Sequence, residues 1–600
     1  MIRYPPGRAS LSYTPTDMLL GAAVLSPIHK GDRAPRELAG PRLTGSSIVE
    51  STHNLSAAID AFMLSVTRYY FSRLLELCQD YRFGRALSMM LSSLVHSIHP
   101  QSRVSSTPKD VVTISTSPIP GHTMDAFLRE VRGIFEKPLD PHTLYDMSAK
   151  LQEEFREKLR DSNICMLPSY HHTLPTGHER GTFLALDVGG STFRIALVQL
   201  TGKDTWKNGM HIKRIRSNVI SKQVRDLKGQ AFFDWMADRI QEMLEEDGHE
   251  ADSGDAPLLM GLAWSFPIEE TSERGGSILA MGKGFMATHG VEGQDLCGLL
   301  MRSCRLKGLN VQLRTIVNDS SATLLSQAYR DASTCLSLIL GTGTNAAIHL
   351  PVSALAHSKF GDRPQTWHDA ATHVLVNSEL SMSGGHVWSA SRWDDELNRM
   401  HSLPGFQPLE YKVSGRYLGE IVRLILMEAI EQCSLFDGRI PERLDEPYAL
   451  DTGTIAVFES DSSTNLAAAC ASFQQHHPLH SGPPALADLR FIKQVTTLVS
   501  SRAAAYLATA IHALWSTRLS SEGIKPDEAG HVTIACNGTV MERYPGFRER
   551  CQGMLDRLTG ISGAHEKVTL EMARESSIFG AAVAVACMEE TSDKVLDAPN

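Results

Sequence analysis

Paired cysteines are missing from this sequence. Its ten cysteines are spread singly and no CxxC occurs, so neither a zinc site nor a disulfide framework is expected, and a reducing intracellular compartment is the natural setting. Basic excess is missing as well. The formal net charge is -10 at pH 7, which argues against a general nucleic-acid binder, since no basic face is available to displace counterions from phosphate backbones. The short basic run KRIR at 213–216 reads as a solvated strand edge. No apolar run reaches the roughly 18 residues that a transmembrane helix needs, and the start, MIRYPPGRAS, lacks the apolar core of a secretory signal.

Also absent is a helical period after the first glycine-rich turn. Residues 182–200, TFLALDVGGSTFRIALVQL, read as an apolar strand, a turn at Gly189 and Gly190, and a second strand in which Phe193, Ile195 and Leu197 alternate with Arg194 and Ala196. A dinucleotide-binding or Walker-type loop must open a helix, so both are excluded. What remains is a turn whose missing Cβ atoms let backbone N–H groups approach a phosphate, with Asp187 at the strand end placed to hold a hydrated magnesium ion. An ordinary glycine hairpin would read the same. A second copy tips the balance: residues 336–350, LSLILGTGTNAAIHL, repeat the pattern around Gly341, Thr342 and Gly343. Two such hairpins roughly 150 residues apart suggest two lobes that each offer a clamp to one nucleotide.

Length agrees. Six hundred residues at 42% hydrophobic and 21% charged are too many for one core and predict two or more packed lobes. Residues 1–122 read as an N-terminal extension, polar and mobile at first, with an amphipathic helix near 55–99 that docks on its own catalytic body, a partner protein or a membrane surface. A Ser/Pro/Thr-rich linker closes it near residue 122. Beyond it, stripes at 127–135 and 144–159 predict two packing helices, and alternating strands and helices follow, an α/β pattern. His171 and His172 read as loop histidines, and His476, His477 and His480 as part of a solvated loop.

From about residue 124 to about residue 590 the chain resembles the hexokinase family of the actin-like ATPase fold. The resemblance implies a two-lobed α/β fold with a cleft between a small and a large domain: residues 123–325 the N-terminal part, with small-lobe core, first phosphate hairpin and sugar loops, 326–590 the C-terminal part and large lobe, 591–600 a tail. It implies hexose binding by Ser265 in WSFP, Lys283 in MGKGF, Asn318 and Asp319 in VNDSS, Asn345 in GTGTNA, Glu379 in VNSEL, and Gln407 and Glu410 in FQPLE. Lys283 would lie near the reacting hydroxyl. Asp319, a carboxylate at the C-terminal end of a strand and the start of a helix, faces the crevice where α/β folds bind ligands; it is the candidate general base, although a helix cap would look alike. For ATP and Mg2+ the resemblance implies Asp187, Gly189, Gly190, Ser191, Thr192 and Arg194 in the first hairpin, Gly341, Thr342 and Gly343 in the second, Gly538 and Thr539 in CNGTV, and Gly580 in FGAAV, with Asp187 meeting the metal through water.

Departures from the family pattern are visible. Gly282 replaces a threonine, a loss on the order of 1 kcal/mol if one hydrogen bond to the sugar is missing. Leu380 and Ser381 replace tryptophan and glycine, and Ser191 and Thr192 replace threonine and asparagine. On the nucleotide side Asn537 replaces an aspartate, and Arg574, Ser576 and Ile578 replace a glutamate and two glycines. A β-branched Ile578 is expected to tolerate a positive φ poorly or to crowd an adenosine. Such drift resembles the atypical fungal hexokinase-like proteins, a group with members that regulate carbon and protease genes. Two functions are therefore carried: phosphorylation of the 6-hydroxyl of a hexose (glucose, fructose or mannose) by MgATP, and a weak or inactive sugar-sensing regulator. The first implies a cytoplasmic location, the second a nuclear one as well.

Overall fold

The computed structural model of the protein describes residues 123–205, 209–245, 256–279, 281, 285–287 and 289–596, the last seven as backbone only. The N-terminal extension and Lys283 with its flanking glycines lie outside the described residues, so the amphipathic helix expected near 55–99 and the lysine loop receive no structural account.

Both glycine hairpins form. The first arm is β2 (Arg180–Val188) and the second β3 (Thr192–Thr201), with Asp187 opposite Arg194 and Val188 opposite Phe193. The second hairpin joins β9 (Thr334–Leu340) to β10 (Thr344–Pro351), closing at Leu340 opposite Thr344. Each hairpin opens a sheet of the same plan. In the first sheet β4 (Met210–Val219), β3, β2, β5 (Leu258–Trp264) and β8 (Val311–Val317) lie side by side; in the second, β11 (His373–Asn377), β10, β9, β12 (Val532–Asn537) and β13 (Val568–Met572) do, with the short β1 (Leu167–Pro168) added at the β11 edge. In both, three antiparallel strands are followed by two parallel ones. Numbered within its own lobe, each sheet therefore runs 3-2-1-4-5, and the repeated hairpin is the visible part of a repeated fold. The KRIR run lies on β4, at the sheet edge, with Lys213 and Ile215 exposed.

One face of the first sheet packs on α1 (Gln230–Glu245) and α2 (Leu296–Leu306) through Phe232, Phe233, Met236, Leu296 and Leu300, all fully buried. The other face is covered by α5 (Ser576–Leu596), and α5 crosses α3 (Asp319–Arg330), which packs chiefly on the second sheet through Leu324 and Ala328 against Ala347. The second sheet belongs to a larger core built around the 37-residue α4 (Leu486–Glu522), which ends at Gly523 with φ of 68°.

The cores do not divide where the resemblance suggested. The helices Met124–Glu136 and Pro141–Asp161 form as their stripes predict, the second capped by Asp140 with Pro141 at its first position. Yet Phe127, Phe135, Leu151 and Phe155 pack into the larger core, and α5, near the C-terminus, packs on the first sheet. A boundary at 325/326 thus cuts the sequence but not the lobes, because each terminal segment buries its apolar face on the lobe opposite to its place in the chain. The histidine run is corrected too: His476 ends a helix (Ala467–His476) and His477 is buried, its Nδ1 3.1 Å from Glu442 O. His171 is likewise buried, its Nε2 2.7 Å from Thr315 Oγ1, and burial pushes its pKa down to about 4.

Candidate active site

The strand ends of the two sheets supply the site. β8 ends at Val317, and α3 begins two residues later. Asn318 caps that helix, its Oδ1 accepting from Ser320 N at 2.8 Å and from Ser320 Oγ at 2.6 Å. Asp319 is the first helical residue, half-buried, and its Oδ1 accepts from Ser320 N at 2.7 Å. The capping role that sequence leaves open for Asp319 thus falls mainly to Asn318, whose amide oxygen is occupied by the helix start. Ser337 of β9 fastens this turn to the second sheet: its Oγ donates to Ser320 O at 2.7 Å and accepts from Ala347 N at 3.3 Å.

Four of the expected sugar residues are gathered by the second sheet and its flank. Asn345 donates through Nδ2 to Asn377 Oδ1 at 3.0 Å, and Asn377 donates to Glu379 Oε1 at 2.9 Å. Glu379 sits in the left-handed region at φ of 48°, held by its own N–H to Asn377 Oδ1. Glu410 Oε2 accepts from Thr344 N at 3.0 Å and lies where a side chain on Gly343 would otherwise be, 2.7 Å from an ideal Cβ. Gln407 is one turn before Tyr411, its carbonyl accepting from Tyr411 N at 3.1 Å. Asn377 was missed from sequence, although it stands two residues before Glu379 at the end of an apolar strand. Ser265 follows β5, its N–H donating to Val188 O at 3.3 Å, which sets it beside the first glycine turn.

On the nucleotide side three backbone turns converge. An ideal Cβ on Gly341 would lie 3.5 Å from Thr539 N and 3.7 Å from Gly538 Cα, and one on Gly538 would strike Leu340 O at 2.3 Å. With φ of 108°, Gly538 is a position no other residue fills easily. The loop Ser414–Arg416 closes over the second turn: Gly415 N donates to Gly341 O at 2.8 Å and Ser414 Oγ to Thr342 O at 2.9 Å. Arg416, also missed from sequence, is exposed there, its guanidinium 5.1 Å from the Tyr448 ring centre. Facing backbone turns with small residues and a nearby cation fit a polyphosphate.

At the first hairpin the fit is narrower. Arg194 Nε and Nη2 both donate to Asp187 Oδ2, at 2.8 and 2.5 Å, and Arg194 Nη1 donates to Glu575 Oε2 at 2.7 Å. Burial raises the Asp187 pKa, with Arg194 acting against it. Arg194 is raised in turn: burial opposes its charge, but Asp187 and Glu575 outweigh it. Both contacts fall on Asp187 Oδ2. Among the described residues no group of three or more His, Cys, Asp or Glu side chains could hold a metal ion.

Two residues of the adenosine motif are buried in helix packing. Gly580 lies at a helix crossing, where an ideal Cβ would sit 2.0 Å from Ala322 O, so its smallness serves the packing of α3 on α5. Ile578 has no positive φ and is fully buried in the core below the first sheet, so the expected crowding does not arise. The positive φ belongs to Glu575, at 52°. Asn537 and Ser576 are bonded to each other: Asn537 Nδ2 donates to Ser576 Oγ, which lies 2.8 Å from Thr323 Oγ1, and Thr323 Oγ1 donates to Asp319 O at 2.9 Å.

The same chain is recognised by similarity. Two family models, both described as hexokinase, match residues 134–329 and 335–587. Hexokinase-1 of Saccharomyces cerevisiae is 28% identical over 482 residues, covering 79% of this chain and 94% of the yeast protein, and Hexokinase-7 of Oryza sativa subsp. japonica is 28% identical over 443 residues, covering 74% and 91%. The solved hexokinase from Schistosoma mansoni complexed with glucose superposes with a TM-score of 0.64 at 28% identity, over 78% of this chain and all of that one. A duplicated 3-2-1-4-5 sheet, a carboxylate at the strand end between the lobes and matches along both halves make this chain a member of the hexokinase family of sugar phosphotransferases, with the two-lobed fold of that family.

Proposed function

We propose that the protein transfers the γ-phosphoryl group of MgATP to the 6-hydroxyl of a hexose such as glucose. The observation that carries the reading is the junction at Ser320: one turn that starts with Asp319 is hydrogen-bonded to β9 by Ser337, one strand from the Asn345, Asn377 and Glu379 chain. That arrangement supports Asp319 as the base for a hydroxyl whose neighbours on the ring are paired by Asn345, Glu379 and Glu410. Ser265 would meet the sugar from the other lobe, and the MGKGF loop would bring Lys283 to the reacting oxygen. Gly341 to Gly343, Gly538, Thr539 and Arg416 would cradle phosphates through backbone N–H groups and one guanidinium. MgATP supplies the phosphoryl group and the charge neutralisation of its oxygens.

A second reading is favoured by Asn537. Where an aspartate would add charge at the nucleotide, this chain has a neutral amide turned toward Ser576, consistent with a sugar-responsive protein of slow turnover that regulates carbon use. A coupled assay for ADP release with the purified full chain, glucose and MgATP separates the two. Turnover within the common kinase range of about 1 to 100 s⁻¹ supports the enzyme, and glucose binding without ADP release supports the regulator.

A further inference from the structure

Glu270 has no part in the reading above, yet it joins the lobes. It ends β6 (Ile268–Glu270), which pairs with β7 (Gly276–Ile278) and starts three residues after Ser265. Its Oε2 accepts from Tyr170 N at 3.0 Å, and Tyr170 Oη donates to Thr271 O at 2.8 Å. Tyr170 belongs to the other lobe: its neighbours Ser169 and His171 exchange backbone hydrogen bonds with Leu375 of β11. One hairpin of the first lobe is thus fastened to the sheet edge of the second.

The receiving surface is rigid. Arg363 lies 4.4 Å from both the Tyr170 and the Trp367 ring centres, Trp367 Nε1 donates to Tyr170 O at 2.9 Å, and Arg363 Nη2 donates to Pro168 O at 2.8 Å. Arg363 Nε and Nη1 are buried without a hydrogen-bond partner among the described residues. Such a stacked guanidinium fixes the Tyr170 backbone against which Glu270 docks.

We propose that Glu270 is a positioning residue: its bond to Tyr170 fastens the hairpin behind Ser265 to the opposite lobe, and releasing that bond lowers the affinity for the sugar. The second half rests on the reading of Ser265 as a sugar residue.

Ionisation gives the bond a dependence on pH. Burial pushes the Glu270 pKa up from 4.5 to about 7, with the Tyr170 N–H and the Arg363 charge acting in the opposite direction. Released into water, the carboxyl returns to its ordinary range. The fastened state therefore holds a proton that the released state gives up, and fastening weakens by up to about tenfold per unit as pH climbs from about 4.5 to about 7, and no further above that. Other charged and titratable groups surround it. From the second lobe Arg363 stays charged; burial and the neighbouring His172 hold His171 neutral, with a pKa of about 4, and burial with Arg363 lowers His172. On the hairpin itself Glu269 is exposed, and Glu273, raised by burial, is drawn to Arg274 and Arg314.

Two measurements on the full chain test this, each between pH 5.5 and 8 with Glu270→Gln and Glu270→Ala beside the parent. In hydrogen exchange, read against Glu270→Gln at the same pH, the Tyr170 amide of the parent should lie nearest the glutamine variant at pH 5.5 and exchange progressively faster than it toward pH 8, with the alanine variant fast throughout. Equal exchange in parent and alanine variant overturns the fastening without reference to any ligand. In calorimetry with glucose, the parent's affinity should fall about tenfold or more across the range, Glu270→Gln should stay flat and tight, and Glu270→Ala should be weak at every pH. Parallel profiles in all three overturn the link to sugar. Absence of glucose binding in every variant overturns the sugar reading and the affinity claim together, while the exchange result still decides the fastening.

Discussion

Three side chains run in one direction from the second sheet to the backbone of the candidate base. Thr323 Oγ1 spends its hydrogen on Asp319 O, so the Ser576 hydroxyl donates to Thr323 and accepts from Asn537 Nδ2, while Asn537 Oδ1 accepts from Gly538 N at 2.6 Å. An aspartate at 537 has no hydrogen to give and would set a carboxylate oxygen against an acceptor; a glycine at 576 removes that acceptor. The two departures from the family pattern are therefore a matched pair. Asn537→Asp alone should cost about 1 to 3 kcal/mol, and Asn537→Asp with Ser576→Gly should cost clearly less than the two single changes added. Denaturant unfolding of the four proteins checks this; strict additivity would show the pair to be independent. At the end of the chain, Asp319→Ala should lower hexose-dependent ADP release by roughly 10² to 10⁴-fold and leave glucose affinity nearly unchanged. Equal turnover would leave Asp319 as no more than the residue that receives Ser320 N.

Helices α3 and α5 follow the last strand of their respective sheets, and they cross where Gly580 meets Ala322. Because a Cβ at 580 would lie 2.0 Å from Ala322 O, Gly580→Ala should destabilise the fold by about 1 to 3 kcal/mol or more through overpacking. A thermal unfolding scan that matches the parent would show that the crossing can open without cost. The same crossing explains what could and could not be read from residues alone. Hairpins were legible because the period-2 pattern and its glycines lie within some twenty residues, and the stripes of 127–135 and 144–159 were legible for the same local reason. Which lobe those stripes join is a contact across hundreds of residues and leaves no local mark. Ile578 was misjudged because a glycine pattern says nothing of where a helix starts: here it starts at Ser576, so Ile578 is turned into the core. Asn377 and Ser337 escaped notice because each acts through another polar residue and carries no motif of its own.

At the scale of the molecule, the candidate sugar ligands are divided between the lobes. Ser265 follows β5 of the first sheet, while Asn345, Glu379 and Glu410 belong to the second sheet and its flank. An approach of the lobes would bring both groups onto one small hexose and would also exclude the water that could accept the phosphoryl group. Among the described residues the connections include the crossing of α3 and α5, the Ser337 and Thr323 hydroxyls, the His171 contact with Thr315 and the Tyr170 contact with the β6 hairpin. Apart from the helix crossing, which is packed, these are individual hydrogen bonds, which rotate more readily than a packed apolar face. Glucose should therefore compact the protein in solution, and X-ray scattering of the full chain with and without saturating glucose reads that directly. A smaller radius of gyration with glucose, and none with a sugar that calorimetry shows not to bind, is the expected result. Unchanged scattering under conditions where calorimetry records glucose binding would mean that one lobe alone holds the sugar, and Ser265 would then have to be removed from its ligands.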